Sequence, residues 1–104
     1  EEALDTFRDL TGTEKVSTDL AEIVVAACNG RTEALFVKNG GRVWGKVDPE
    51  QQKVETHGEM VDGDVELLNT AVVETLLHGS EKVFHLSADR IPAPGAKAAA
   101  VFRY

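Results

Sequence analysis

Apolar positions recur at helical spacing in three stretches of the chain and cluster or alternate in five others, and the two patterns take turns. In the opening EEALDTFRDLTG, Ala3, Leu4, Phe7 and Leu10 fall on one stripe of a short amphipathic helix that stops at Gly12. Ser17, Thr18 and Asp19 offer three successive caps to a second helix, LAEIVVAACNG, with Asp19 and Glu22 at capping-box spacing. Leu20, Ile23, Val24, Ala27 and Cys28 form its buried stripe, and Asn29-Gly30 closes it in left-handed geometry. TEALFV, residues 32 to 37, follows as a buried central strand.

Asn39-Gly40-Gly41 then marks a tight reversal, read as a hairpin, because two glycines hold positive φ without a Cβ clash. RVWGKV runs back, DPEQQ turns, and KVETHG completes a third strand. Val43, Gly45 and Val47 share one face and Trp44 and Lys46 the other, which predicts a meander with one wet face. A third helix is expected from about Asp64 to His78, with Val65, Leu68, Val72 and Leu76 in register and Gly79 as its stop. Leu67, Ala71 and Val73 widen its apolar surface, so it is expected to be covered on more than one side. KVFHLS reads as a strand, ADRIPAPG as a loop broken by Pro92 and Pro94, and AAAVFRY as the last strand.

This order predicts an α/β fold: a helix/sheet/helix sandwich with a mixed sheet and a β-hairpin insertion. Residues 1–104 form a single domain on this reading, with 1–14 a leading helix and linker and 17–104 the sandwich core. The chain opens on glutamate rather than methionine and stops on Tyr104 within an apolar run, which predicts a piece of a longer protein, its C-terminal domain. Apolar residues make up 42% and charged residues 28% with no low-complexity tract, enough apolar surface for an ordered core. Apolar runs of about six residues fall far short of the roughly 20 needed to cross a bilayer, so no membrane association is expected. The single Cys28 forms no internal bridge, which fits a reducing compartment and a cytoplasmic location.

Eighteen acidic residues against eleven basic ones leave a net charge of −7, which repels phosphate backbones unless a local basic patch intervenes. The acids concentrate in EMVDGDVE, where Glu59, Asp62, Asp64 and Glu66 either favour the positive end of the helix that follows or form a partner-facing patch or metal site. Cys28 sits at a helix C-terminal end, where the dipole disfavours a thiolate, and reads as a buried thiol. His57, His78 and His85 are separated by 21 and 7 residues and have no partner at metal-ligand spacing. No phosphate loop and no nucleophile-base constellation is present, so neither a cofactor nor a catalytic residue is assigned. Trp44, the only tryptophan, stands beside Arg42 and Lys46 and is open to two readings, a cover for the core or an anchor for a partner. The candidate partner-binding residues are Arg42, Trp44, Lys46, Asp62 and Asp64.

Taken together, STDLAEIVVAACNGRTEALFV, NGGRVWGKVDPE, the acidic loop leading into a helix and the glycine-led ending GAKAAAVFRY resemble the C-terminal domain of bacterial relatives of the archaeo-eukaryotic peptide-chain release factors and Pelota. The most telling pieces are A-x-x-GR-x-x-x-LFV, Ala27 through Val37, and AAAVFRY against a family ending of the ILRY type. The resemblance implies the fold of the kink-turn-binding ribosomal proteins. It also implies a parent chain with N-terminal and middle domains, the hydrolytic Gly-Gly-Gln of release factors lying in the middle one. Here Gly41 is followed by Arg42, so no catalytic role carries over and the fragment is not expected to be an enzyme, whereas the parent could be a peptidyl-tRNA hydrolase. The RNA-binding loop of the ribosomal relatives is basic and glycine-rich, whereas the corresponding stretch here is acidic, so direct RNA binding is not expected. In the eukaryotic factors this domain docks a translational GTPase. The resemblance therefore implies a non-catalytic interaction domain whose partners are the parent chain's other domains, a translational GTPase or the ribosome. The alternatives are a kink-turn RNA module, or a small metal- or ligand-binding domain built from Asp62, Asp64 and a histidine.

Overall fold

A computed structural model describes residues 2–48, 50–91 and 95–103. Pro92, Pro94 and Tyr104, and the side chain of Ala3, lie outside the described residues. The chain runs α1 (Glu2–Asp9), β1 (Val16–Ser17), α2 (Leu20–Cys28), β2 (Thr32–Lys38), β3 (Trp44–Asp48), β4 (Lys53–His57), β5 (Val65–Glu66), α3 (Leu67–Leu77), β6 (Val83–Leu86), a 3-10 turn (Ala88–Arg90) and β7 (Ala98–Phe102). It is a small α/β domain with a mixed sheet in the order β1-β7-β2-β6 and a second sheet in the order β4-β3-β5. In the first sheet only β2 and β6 run parallel, and β7 pairs antiparallel with both β1 and β2.

The first sheet is buried on both faces because its central strands are apolar at odd and even positions alike. Leu35, Val37, Ala98, Ala100 and Phe102 face one core with Ile23, Val24 and Ala26 of α2 and Leu67, Leu68 and Ala71 of α3. Ala34, Phe36, Ala99 and Val101 face the other with Leu4 and Phe7 of α1 and with Ile91. The alanines of β7 leave room for helices to approach closely, and Val101 and Phe102 fill opposite faces. The Asp19 side chain caps α2 by accepting from the Ala21 N–H at 3.0 Å. At its far end, Gly30 takes a φ of +71° and the Arg31 N–H returns to the Ala26 carbonyl at 2.9 Å.

Three expectations are corrected. Asn39-Gly40-Gly41 makes a turn, with the Gly41 N–H donating to the Lys38 carbonyl at 3.1 Å, but not a hairpin. Both edges of β2 are already taken by β6 and β7, and the chain after the turn bonds elsewhere: the Val43 carbonyl accepts from the Leu67 N–H at 2.7 Å. The strand that follows therefore starts a new sheet. Its pairing with β4 is the hairpin, closed by Asp48, whose Oδ1 accepts from the N–H groups of Glu50 and Gln51. The third helix begins at Leu67 rather than Asp64, because Val65 and Glu66 pair with Gly45 and Trp44 as an edge strand. Its buried stripe is Leu67, Leu68, Ala71 and Thr75, while Val65, Val73 and Leu76 of the expected apolar surface are exposed.

Candidate interaction surface

The second sheet owes its two different faces to the alternation Val43, Gly45, Val47 against Trp44, Lys46, Asp48. Val43, Val47 and Val54 pack toward the α2/α3 core, and Gly45 is buried there. Trp44 and Lys46 stand on the outer face, with Trp44 in register opposite His57 on one side and Glu66 on the other, and Lys46 opposite Glu55. Trp44 is half-buried, whereas Arg42 and Lys46 are exposed.

Glu66 joins this face to α3. Its Oε2 accepts from the N–H groups of Val43 at 2.8 Å and Leu68 at 2.9 Å, and its Oε1 from that of Asn69 at 3.1 Å. One carboxylate thus caps the helix and fixes the approach to β3, as the dipole reading of the acidic stretch expects for this residue.

Asp64 does something else. Its side chain is fully buried, and its Oδ2 accepts from His57 Nδ1 at 2.7 Å and from the Val61 N–H at 2.9 Å. The Asp64 N–H returns to the Val61 carbonyl at 2.9 Å, closing the turn VDGD on itself. The other ring nitrogen of His57, Nε2, lies 2.8 Å from Glu55 Oε1. An ionised carboxylate only accepts, so both contacts are satisfied together when the imidazole carries both protons. These bonds, Asp64 first and then Glu55, raise the His57 pKa against the opposing effect of burial. For Asp64, burial is the largest single influence and pushes the pKa up, but the His57 bond, the Val61 N–H and the charges of His57 and Lys46 together bring it below the usual carboxylate value.

Of the five candidate residues, Trp44 and Lys46 lie on the second sheet, Asp64 immediately precedes its strand β5 within reach of the Lys46 charge, and Asp62 lies exposed on the turn before it. Asp64 shapes this surface from beneath rather than presenting its carboxylate. Arg42 stands at the start of β3, where its carbonyl accepts from Lys97 Nζ at 3.4 Å. Met60 and Val61, 62% and 47% exposed, belong to the same loop. His57 escapes sequence reasoning because its partner lies seven positions on, across a loop with no periodicity; the only signal is its parity with Glu55 on the same strand.

The remaining candidates stand apart. Cys28 is half-buried, and burial first, then the charge and hydrogen bond of Glu74, push its thiol pKa up, away from the thiolate. His78 Nδ1 lies 2.8 Å from the Glu74 carbonyl, and His85 is exposed on β6. Among the described residues no group of three His, Cys, Asp or Glu side chains is placed to hold a metal ion. Nor is any helix among them long and apolar enough to cross a membrane. Comparison of the chain with protein-family models and with curated proteins returns no match.

Proposed function

We propose that this chain is a non-catalytic interaction domain of a release-factor-like translation protein, docking a protein partner through the outer face of its second sheet. The observation that carries this reading is Trp44, half-buried on a face turned away from the core, between exposed Arg42 and Lys46 and in register with His57, whose partner Asp64 also holds the loop bearing the exposed apolar pair Met60 and Val61. Aromatic and arginine side chains grouped around a partly dry centre have the composition of interface hot spots. The site chemistry offers binding rather than bond-breaking: both ring nitrogens of half-buried His57 are occupied by carboxylates, which leaves neither free to serve a nucleophile.

Binding to purified ribosomes and to a purified translational GTPase tests the reading. Trp44→Ala is expected to weaken whichever complex forms by about thirtyfold, the scale of a hot-spot residue, and Arg42→Glu to weaken it less. Unchanged binding in both variants removes this face from the proposal. Loss in Leu77→Ser instead moves docking to α3, where Val73, Leu76 and Leu77 form an exposed apolar stripe.

One observation favours the structured-RNA reading. Lys38, Arg42 and Lys97 meet at the carboxyl end of β2: the Lys38 N–H donates to the Lys97 carbonyl at 2.9 Å, and Lys97 Nζ reaches the Arg42 carbonyl. Of the nearby acids, Asp64 and Glu66 are consumed by internal bonds, so the stretch opposes phosphate less than its composition implies. A gel shift with kink-turn RNA at low salt, lost in Arg42→Glu, is the expected result on this reading, and no shift at low salt rejects it.

A further inference from the structure

We propose that the proton on His57 latches the loop bearing Met60 and Val61 onto the second sheet, so that the shape of the docking face is set by a single titrating group. The use of the latch rests on the docking reading; the latch itself stands on geometry. His57 closes β4, and Asp64 ends the loop that returns from it, so their 2.7 Å bond ties the loop's two ends together. The Val61 N–H bonds to the same carboxylate oxygen, which draws the apolar part of the loop into the tie.

The charges around His57 are few. Glu55 faces it from the same strand, 68% exposed; Asp64 from the loop, with no exposed side-chain surface; and Lys46 from β3, near Gly63 and Asp64. Glu66 lies beyond Trp44, with its oxygens engaged at the α3 cap. Asp64 Oδ1 is buried and has no hydrogen-bond partner, so Lys46 contributes attraction but no bond to it.

A neutral imidazole keeps one N–H. Water readily replaces it at exposed Glu55 but not at buried Asp64, so the surviving N–H stays on Asp64 and the Glu55 bond is given up. The buried carboxylate then lacks the imidazolium charge that balanced it, and a buried carboxylate without its counter-charge is strongly unfavourable. Opening the loop hydrates it. The sign follows: His57 has a raised pKa, so its stabilisation is complete below the ordinary imidazole value of 6.5 and is lost as pH rises through the folded-state value. Asp64 has a lowered pKa, so its contribution is present above the ordinary 3.8 and is lost as pH falls through the folded-state value. The latch is closed between those limits and opens on the alkaline side.

NMR titration of the isolated chain tests this without any partner. His57 is expected to titrate above 6.5, and the amide protection factors of Val61 and Asp64, the hydrogen-bonded amides of the loop, to fall by about tenfold across that same titration. Asp64→Asn is expected to make loop protection independent of pH. Glu55→Gln, on an exposed side chain, is expected to lower the His57 pKa while leaving the loop closed at mildly acidic pH. A His57 that titrates at or below 6.5, or loop protection that stays constant through its titration, overturns the latch. Neither outcome depends on whether Trp44→Ala weakens a complex, so the docking reading and the latch fail separately.

Discussion

Gly45→Ala is expected to destabilise the domain by about 3 kcal/mol, the upper range for forcing one extra methyl into a filled core. For a chain of this size that is a fall in melting temperature of roughly 12–24 °C. The cause is space rather than backbone angle. A Cβ on Gly45 would collide with the carbonyl of Glu55 on the neighbouring strand and lie 2.8 Å from Leu67 Cδ1 at the first turn of α3. The strand carbonyl cannot yield without parting β3 from β4, and Leu67 is fully buried, so it has nowhere to retreat. Urea unfolding measures the cost, and the fluorescence of adjacent Trp44 reports whether the second sheet has moved before the first. A loss below about 1 kcal/mol would show that the two strands separate freely, and a rigid docking face would then be untenable.

The parts of the fold legible in the sequence are those fixed by local chemistry or burial on both faces. Asp19 caps α2 as its position before an apolar run requires, and Gly30 ends it in the left-handed region. TEALFV reads as a central strand and AAAVF as the last strand, and from Ala34 to Val37 and from Ala98 to Phe102 every position meets a core, one side or the other. What was not legible is nonlocal. Gly40-Gly41 signals a turn, but whether the next strand pairs back depends on β6 and β7, some 45 to 60 residues further on, having filled both edges of β2.

The same limit governs α3 and the site. Its sequence is apolar nearly all round, so periodicity does not choose between the buried side, Leu67, Leu68, Ala71 and Thr75, and the exposed Val73, Leu76 and Leu77. The wet side of the second sheet followed from the alternation around Trp44. The burial of Asp64 did not, because a carboxylate in an acidic run reads as solvated until a histidine is found to hold it. The site's chemistry thus lay in a pairing that no spacing rule encodes.

Phe36→Ala is expected to be the most damaging single change, costing about 3–5 kcal/mol as a large buried ring is lost and its cavity only partly closes. Against a stability of about 5–15 kcal/mol for a domain of this kind, that leaves a marginal fold at 37 °C. Phe36 has no exposed surface and sits between two rings: Phe7 of α1 meets it edge-on at 6.2 Å and 89°, and Phe84 of β6 stacks on it at 5.4 Å and 19°. Chemical denaturation of Phe36→Ala, Phe7→Ala and the double variant tests more than the size of the loss. Because the two rings touch, the sum of the two single costs is expected to differ from the cost of the double variant by about 0.5–1.5 kcal/mol. Additive costs would mean that α1 contributes no specific packing to the sheet. Coupling of the expected size makes residues 2–9 part of the cooperative unit and covers the outer face of the first sheet from within the chain. On the proposed docking reading, the second sheet is then the surface left open to a partner.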